Sequence, residues 1–167
     1  MYPECIPFSG GDAQMDHLLN DTIEFLEKIG WHYRREENTN LLALSLCGEK
    51  ETYPMLIYAK APFWICIAQL PWEIPDRNRL EVAEYLHRAN YGLLLGSFEM
   101  DYDNGDVRFR SAMVRENRPM EESILDRYIK TPAAMLDQYA AGIQAIVRDG
   151  EIARHALEYS AVHRKGV

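Results

Sequence analysis

Two segments of this sequence, residues 41–47 and 63–68, are almost continuously apolar. Their lengths are typical of β-strands, in which successive side chains point to opposite faces of the sheet. An antiparallel sheet with helices on one side and solvent on the other shows alternating apolar and polar residues. These two segments do not alternate, so both faces of the predicted sheet need a cover.

The remaining periodicities give the order of the elements. Apolar residues recur at helical spacing between residues 12 and 29, and β-rich runs separated by turn residues follow between residues 31 and 70. Four strands in an antiparallel meander are predicted there. Asp76 can cap a second helix, a hairpin follows, and Thr131-Pro132 is expected to start a new helix within the apolar stripe after residue 120. The predicted fold is α+β, with an antiparallel sheet of five or six strands in the order α-β-β-β-β-α-β-β-α.

The hairpin carries the sharpest local signal. Asn104-Gly105 is the pair that a two-residue type I′ turn prefers, and it is flanked by alternating residues. The register that this turn sets places apolar side chains opposite each other on one face and acids opposite bases on the other. The expected pairs are Tyr102–Val107, Met100–Phe109, Asp101–Arg108 and Glu99–Arg110.

A second copy of the chain is one way to cover both faces of the sheet. The first and third helices can cover one face, which leaves the second helix for the other, and one helix is narrow for five or six strands. We therefore hypothesise a symmetric homodimer whose seam is the apolar stripe of the second helix. The alternative, to which we give equal weight, is that loops and the C-terminal helix of the same chain cover the second face of the sheet. The predicted seam residues are Leu80, Val82, Ala83, Leu86, Ala89 and Leu93.

The charge balance limits the partners. The chain has 18 Lys and Arg residues against 26 Asp and Glu residues, a formal net charge of −8. This charge repels phosphate backbones and anionic lipids, so neither a nucleic acid nor a membrane partner is predicted. Cys5, Cys47 and Cys66 are an odd number at irregular spacing, which indicates a reducing compartment, and no signal-peptide pattern is visible. A cytoplasmic location is predicted.

No motif in the sequence points to a reaction. The five histidines show no metal-binding spacing, and the glycine and closing glutamate of a calcium loop are misplaced around residues 101–112. Cys47 and Cys66 fall inside apolar strands, where thiols are inert packing groups. Glu99 and Asp101 are carboxylates two residues apart, but the arginines opposite would keep both ionised. No catalytic residue, metal site or cofactor is predicted.

Two tryptophans are candidates for binding a partner. Tryptophan is a typical anchor of protein interfaces, although it is more often part of a core. Trp64 lies in the apolar run 63–68, and Trp72 lies in a proline-flanked loop where a large ring must fold back or be exposed. Both are predicted partner-binding residues.

These elements and residues together resemble the YbjN family, whose fold is similar to that of type III secretion chaperones. The likeness rests on the order of elements, on the asparagine in His87-Arg88-Ala89-Asn90, and on the hairpin from Gly96-Ser97-Phe98-Glu99 to Gly105-Asp106-Val107-Arg108-Phe109-Arg110. It implies a lead at residues 1–13, a YbjN-like domain at 14–148 and a C-terminal helical extension at 149–167.

The resemblance also implies a function without catalysis. The expected protein is a chaperone-like or regulatory module, linked to sensory transduction or stress, that binds an extended or amphipathic segment of a protein partner as a homodimer. A small-ligand sensor domain is the alternative, and an enzyme whose site is assembled from scattered residues is a further one.

Overall fold

The computed structural model describes residues 17–115 and 118–162. Helix α1 spans His17–Lys28 and is followed by strands β1 to β4; the first five residues of the predicted helix lie outside the described part. A 3₁₀ turn precedes α2, the β5–β6 hairpin follows, and α3 and α4 end the described chain. The bounds are β1 Arg34–Arg35, β2 Leu41–Cys47, β3 Thr52–Lys60, β4 Phe63–Gln69, α2 Arg79–Asn90, β5 Ser97–Met100, β6 Val107–Val114, α3 Glu122–Gln144 and α4 Ala153–Val162.

The strands form one antiparallel six-stranded sheet in the order β1-β2-β3-β4-β6-β5. Every second residue of the central strands is buried, and these side chains meet the helices in a single core. The predicted α+β class and the antiparallel sheet are confirmed. The core side chains from the sheet include Leu42, Tyr53, Met55, Ile57, Trp64, Cys66, Phe98 and Phe109.

Helix α2 packs on the same side of the sheet as α1 and α3, so the expectation that it covers the opposite face is wrong. Its Tyr85 hydroxyl donates to the Tyr139 carbonyl of α3 at 3.0 Å and shares a 2.6 Å hydrogen bond with Ser160 of α4. The Glu81 carboxylate accepts the Ala153 N–H at 2.6 Å, which ties the start of α4 to α2. An apolar helical stripe fits a core and a dimer seam equally well, and here the chain's own α3 and α4 cover it.

Helix α3 runs through Thr131-Pro132, so the predicted new helix start at this site is wrong as well. Proline cannot donate the N–H that Tyr128 would otherwise accept four residues earlier. The Ser111 hydroxyl of β6 donates to the Tyr128 carbonyl instead, at 2.9 Å. Because the sheet satisfies the orphaned carbonyl, the helix continues across the proline.

Replacing Ser111 with alanine should lower the free energy of unfolding by about 1–3 kcal/mol, since the Tyr128 carbonyl would lose its replacement donor in a buried place. Urea denaturation of the variant measures this loss. Thr131→Val is the matched control, because the Thr131 hydroxyl only bonds back to Arg127 on the surface. Equal losses in the two variants would contradict the role assigned to Ser111.

The β5–β6 hairpin has a different register from the predicted one. Met100 faces Val107 and Glu99 faces Arg108, a shift of two residues that keeps every side chain on its expected face. The Asp101 carboxylate accepts the Asp103 N–H at 2.9 Å, so the loop is longer than a two-residue turn. Its tip docks on the chain before α2, where the Ile74 N–H donates to the Gly105 carbonyl at 2.8 Å. This tertiary contact overrides the local preference of Asn-Gly.

Candidate functional site

One face of the sheet is apolar and is not covered by any helix of residues 17–115 and 118–162. The side chains on it alternate with the core side chains along each strand, and none of them belongs to the core or packs against it. We call this surface the open face. Its apolar residues include Leu41, Ala43, Leu56, Tyr58, Phe63, Ile65, Ile67, Ala112 and Val114.

The strand register arranges these side chains in rows across the sheet. One row pairs Leu41 with Tyr58, Tyr58 with Ile65, and Ile65 with Ala112. The next row contains Ala43, Leu56 and Ile67. Leu56 is 39% exposed and Val114 is 73% exposed. The rows therefore form one contiguous patch rather than scattered apolar residues, and patches of this kind mark interaction surfaces.

Basic side chains border the patch. Arg34 lies opposite Ala43 at one edge, Lys60 lies at a corner opposite Phe63, and Arg110 lies opposite Ile67 towards the other edge. The Glu99 carboxylate bridges Arg108 and Arg110, with Oε2 and Oε1 at 2.7 and 2.6 Å from their Nε atoms. The expectation that acids face bases here is met, although a single glutamate serves both arginines.

The hairpin end of the open face is acidic. A cleft of about 340 Å³ lies there between β4, β5 and the hairpin loop. Asp101, Asp103 and Asp106 line it together with Arg108. The positive charge beside the patch therefore comes from Arg34 and Lys60, since the charge of Arg110 is offset by its ion pair with Glu99.

Both edges of the sheet are poor sites for adding a strand. At the β5 edge, the Asn90 side chain accepts the Phe98 N–H at 2.8 Å and donates to the Phe98 carbonyl at 3.0 Å. This amide occupies the backbone groups that an added strand would need. At the other edge, β1 has only two residues, both arginines, and β2 extends past it by residues 44–47, a stretch too short to pair with more than a few residues of an added strand. Asn90 is visible in the sequence as the end of the second helix, but its role depends on a contact that the sequence does not show.

The structure does not bring the predicted site residues together on a surface. Trp64 is fully buried on the helical side of the sheet, where its indole N–H donates to the Thr22 hydroxyl at 3.0 Å, and Trp72 is half-buried against the core. Val82, Leu86 and Ala89 are buried in the monomer, and Leu93 packs against the core. Ala83 is half-buried and Leu80 is 76% exposed. The sequence indicated that both faces of the sheet are apolar, but it assigned the second face to α2 and so did not single out the residues of the open face as a site.

The titratable groups of the core serve packing. Burial raises the pKa of the Cys66 thiol, so it remains protonated and is a poor nucleophile. Burial and the hydrogen bond to Asp137 raise the pKa of Tyr53. The Asp137 carboxylate also accepts the N–H groups of Glu49 and Lys50 at 3.1 and 3.3 Å, which fixes the β2–β3 turn on α3. This places it in a structural role beside an open cleft of about 840 Å³.

Residues 17–115 and 118–162 offer neither a cluster of metal ligands nor a helix suited to crossing a membrane. No group of three or more His, Cys, Asp or Glu side chains is placed to hold a metal ion within them. Among the same residues, no helix has the length and apolar character that crossing a membrane requires.

Comparison with known proteins identifies a family and a similar solved structure. Residues 23–145 match the model of the YbjN family, described as "Putative bacterial sensory transduction regulator". The crystal structure of E. coli YbjN, called "a putative transcription regulator", is similar with a TM-score of 0.53 and 13% sequence identity. That likeness covers 71% of this chain and 85% of the other. No curated protein matches. Because the family model spans most of the sequence, the chain belongs to the YbjN family.

Proposed function

We propose that this chain is a non-catalytic regulator that acts by binding a segment of another protein on its open face. The observation that carries the proposal is the uncovered apolar patch on β2, β3, β4 and β6. The description of the family as a sensory transduction regulator and that of the E. coli protein as a transcription regulator support a regulatory role. The acidic chain, with its net charge of −8, favours a protein over a nucleic acid as the partner.

The placement of the titratable groups supports a role without catalysis. Asp137 is engaged by Tyr53 and two backbone N–H groups, and Glu99 is engaged by two arginines. Both carboxylates therefore act as acceptors that hold the fold together. A small-ligand sensor is the weaker candidate, because the clefts at Asp137 and at the hairpin are open to solvent rather than enclosed.

The homodimer, the cytoplasmic location and the division at residues 13 and 148 stay predictions. Val82, Leu86 and Ala89 would have to leave the core to form the predicted seam. A dimer would therefore need another surface, and the open face is one that the described residues offer, in addition to the exposed Leu80, Tyr91 and Leu94. Light scattering separates a monomer of 19.3 kDa from a pair of twice that mass.

The test of the proposal is capture of partners by the tagged protein in its native host. Leu56→Asp with Val114→Asp places two charges in the patch at exposed positions. We expect this variant to retain its fold and to capture at least about tenfold less partner. The reason is that a carboxylate buried without a partner in the complex costs more than about 1.4 kcal/mol of binding free energy.

The matched control carries the same charge change on the helical side of the fold. Tyr91→Asp with Leu94→Asp replaces two side chains that are 96% and 103% exposed in the loop after α2. It should capture as much partner as the unmodified chain. Equal capture by both variants would contradict the open face as the docking site.

A further inference from the structure

We infer that the occupant of the open face is an amphipathic α-helix whose apolar stripe is flanked by acidic residues. This inference rests on the proposed function and deepens it, since it names the conformation and the charge of the partner segment. Three observations carry it: the blocked sheet edges, the dimensions of the patch and the basic side chains beside it.

The blocked edges decide between a strand and a helix. A strand that binds a sheet ordinarily pairs with an edge, where the sheet supplies hydrogen bonds to its backbone. Asn90 occupies those groups at Phe98, β1 has two residues, and the part of β2 beyond β1, residues 44–47, is only four residues long. A strand laid on the apolar face would bury its own N–H and C=O groups without partners. A helix satisfies its backbone internally, so it is the conformation that an apolar face can accept.

The dimensions of the patch match one helix. The apolar rows lie across four neighbouring strands, β2, β3, β4 and β6, which are about 4.8 Å apart. Successive rows are about 7 Å apart along the strands. A helix is about 10 Å wide, and three to four turns span about 16–22 Å. One helix of about 15 residues therefore covers the patch, as α3 covers the centre of the other face.

The basic residues that border the open face indicate the charge of the residues beside the partner's apolar stripe. Arg34 and Lys60 lie beside the apolar rows, whereas the chain as a whole is acidic. Acidic side chains beside the apolar stripe of the partner would meet these groups. Each partly exposed ion pair contributes about 0.2–1 kcal/mol. The acidic residues therefore adjust affinity and selectivity, while the apolar residues of the partner contribute most of the binding free energy.

The test uses synthetic helices of defined charge. The probe is a fluorescently labelled, end-capped peptide of about 15 residues with a leucine stripe and glutamate flanks. One comparison peptide has lysine in place of glutamate, and a second has a central proline that breaks the helix. Fluorescence anisotropy with the full chain should show saturable binding of the glutamate peptide. We expect about tenfold weaker binding of the lysine peptide and loss of binding of the proline peptide, with the charge preference shrinking at high salt.

Charge reversal on the protein checks where the peptide binds. Arg34→Glu with Lys60→Glu should remove the preference for glutamate flanks, because both side chains border the patch. Arg127→Glu with Arg154→Glu changes the net charge equally at exposed positions of α3 and α4 and should preserve the preference. Equal binding of the glutamate and lysine peptides, or undiminished binding of the proline peptide, would overturn the inference.

Two other occupants are outcomes of the same experiment. Co-sedimentation of the protein with phosphatidylcholine–phosphatidylserine vesicles, reduced by Leu56→Asp, would assign the face to a membrane and overturn the inference. A dimer that dissociates on Leu56→Asp and excludes the peptide would assign it to a second copy, with the same consequence. If the open face binds its native partner but shows no preference among the peptides, the helical conformation of the partner is refuted and the proposed function is not. Capture that is independent of the face refutes the proposed function itself.

Discussion

Replacing Trp64 with alanine should lower the free energy of unfolding by about 3–5 kcal/mol, the cost of deleting a large buried aromatic side chain. Trp64 has no exposed surface, packs edge-on against Tyr128 with ring centroids 6.1 Å apart, and donates its indole N–H to Thr22. The cavity would open between the sheet, α1 and α3. Urea denaturation measures the loss.

Two variants make this prediction specific. Trp72→Ala should cost less, because Trp72 is only half-buried. Thr22→Val should cost about 1–3 kcal/mol, because it leaves the buried indole N–H without an acceptor. If Trp64→Ala preserved stability but abolished capture of a partner, Trp64 would belong to the binding surface, as the sequence suggested, and the assignment of the two sheet faces would be wrong.

Replacing Gly105 with alanine should cost about 2–5 kcal/mol, the sum of a left-handed backbone and an overpacked contact. Gly105 has a φ of +85°, and an added Cβ would collide with the Ile74 carbonyl oxygen. That oxygen belongs to the backbone of the segment before α2, so it cannot rotate away. The hairpin tip would have to lift from this segment, which would also break the bond from the Ile74 N–H to the Gly105 carbonyl.

Gly150→Ala is the control for the cost of placing alanine in a left-handed backbone conformation. Gly150 has a φ of +71°, and its added Cβ would meet no atom within 4 Å. Its expected cost is about 1–2 kcal/mol, from the left-handed conformation alone. The difference between the two variants in thermal or urea unfolding reports the Ile74 contact, and equal costs would show that the hairpin tip does not dock there.

The sequence predicts the elements of this fold better than their contacts. The helical and strand periodicities are local, so the order of elements, the antiparallel sheet and the apolar character of both faces follow from them. The side on which α2 packs depends on Tyr85 meeting Tyr139 and Ser160, which are more than fifty residues away. The continuity of α3 at Pro132 likewise depends on Ser111 in a distant strand.

For the candidate site, too, the sequence predicts the local apolar pattern but not the contacts between distant elements. The apolar character of residues 41–47 and 63–68 already requires a cover on both faces of the sheet. The sequence assigned that cover to α2, because an apolar stripe shows what a helix can bury and not which surface buries it. The blocked β5 edge and the bridging of Glu99 to two arginines appear only once β5, β6 and α2 are assembled.

The central claim is that the open face contacts the partner. Site-specific photocrosslinking tests it, with p-benzoylphenylalanine in place of Leu56 on the open face and, in a second variant, in place of Leu94 in the loop after α2. The account predicts a covalent adduct heavier than the 19.3 kDa chain after irradiation in the native host at position 56 and none at position 94. An adduct at position 94 with none at position 56 would contradict it.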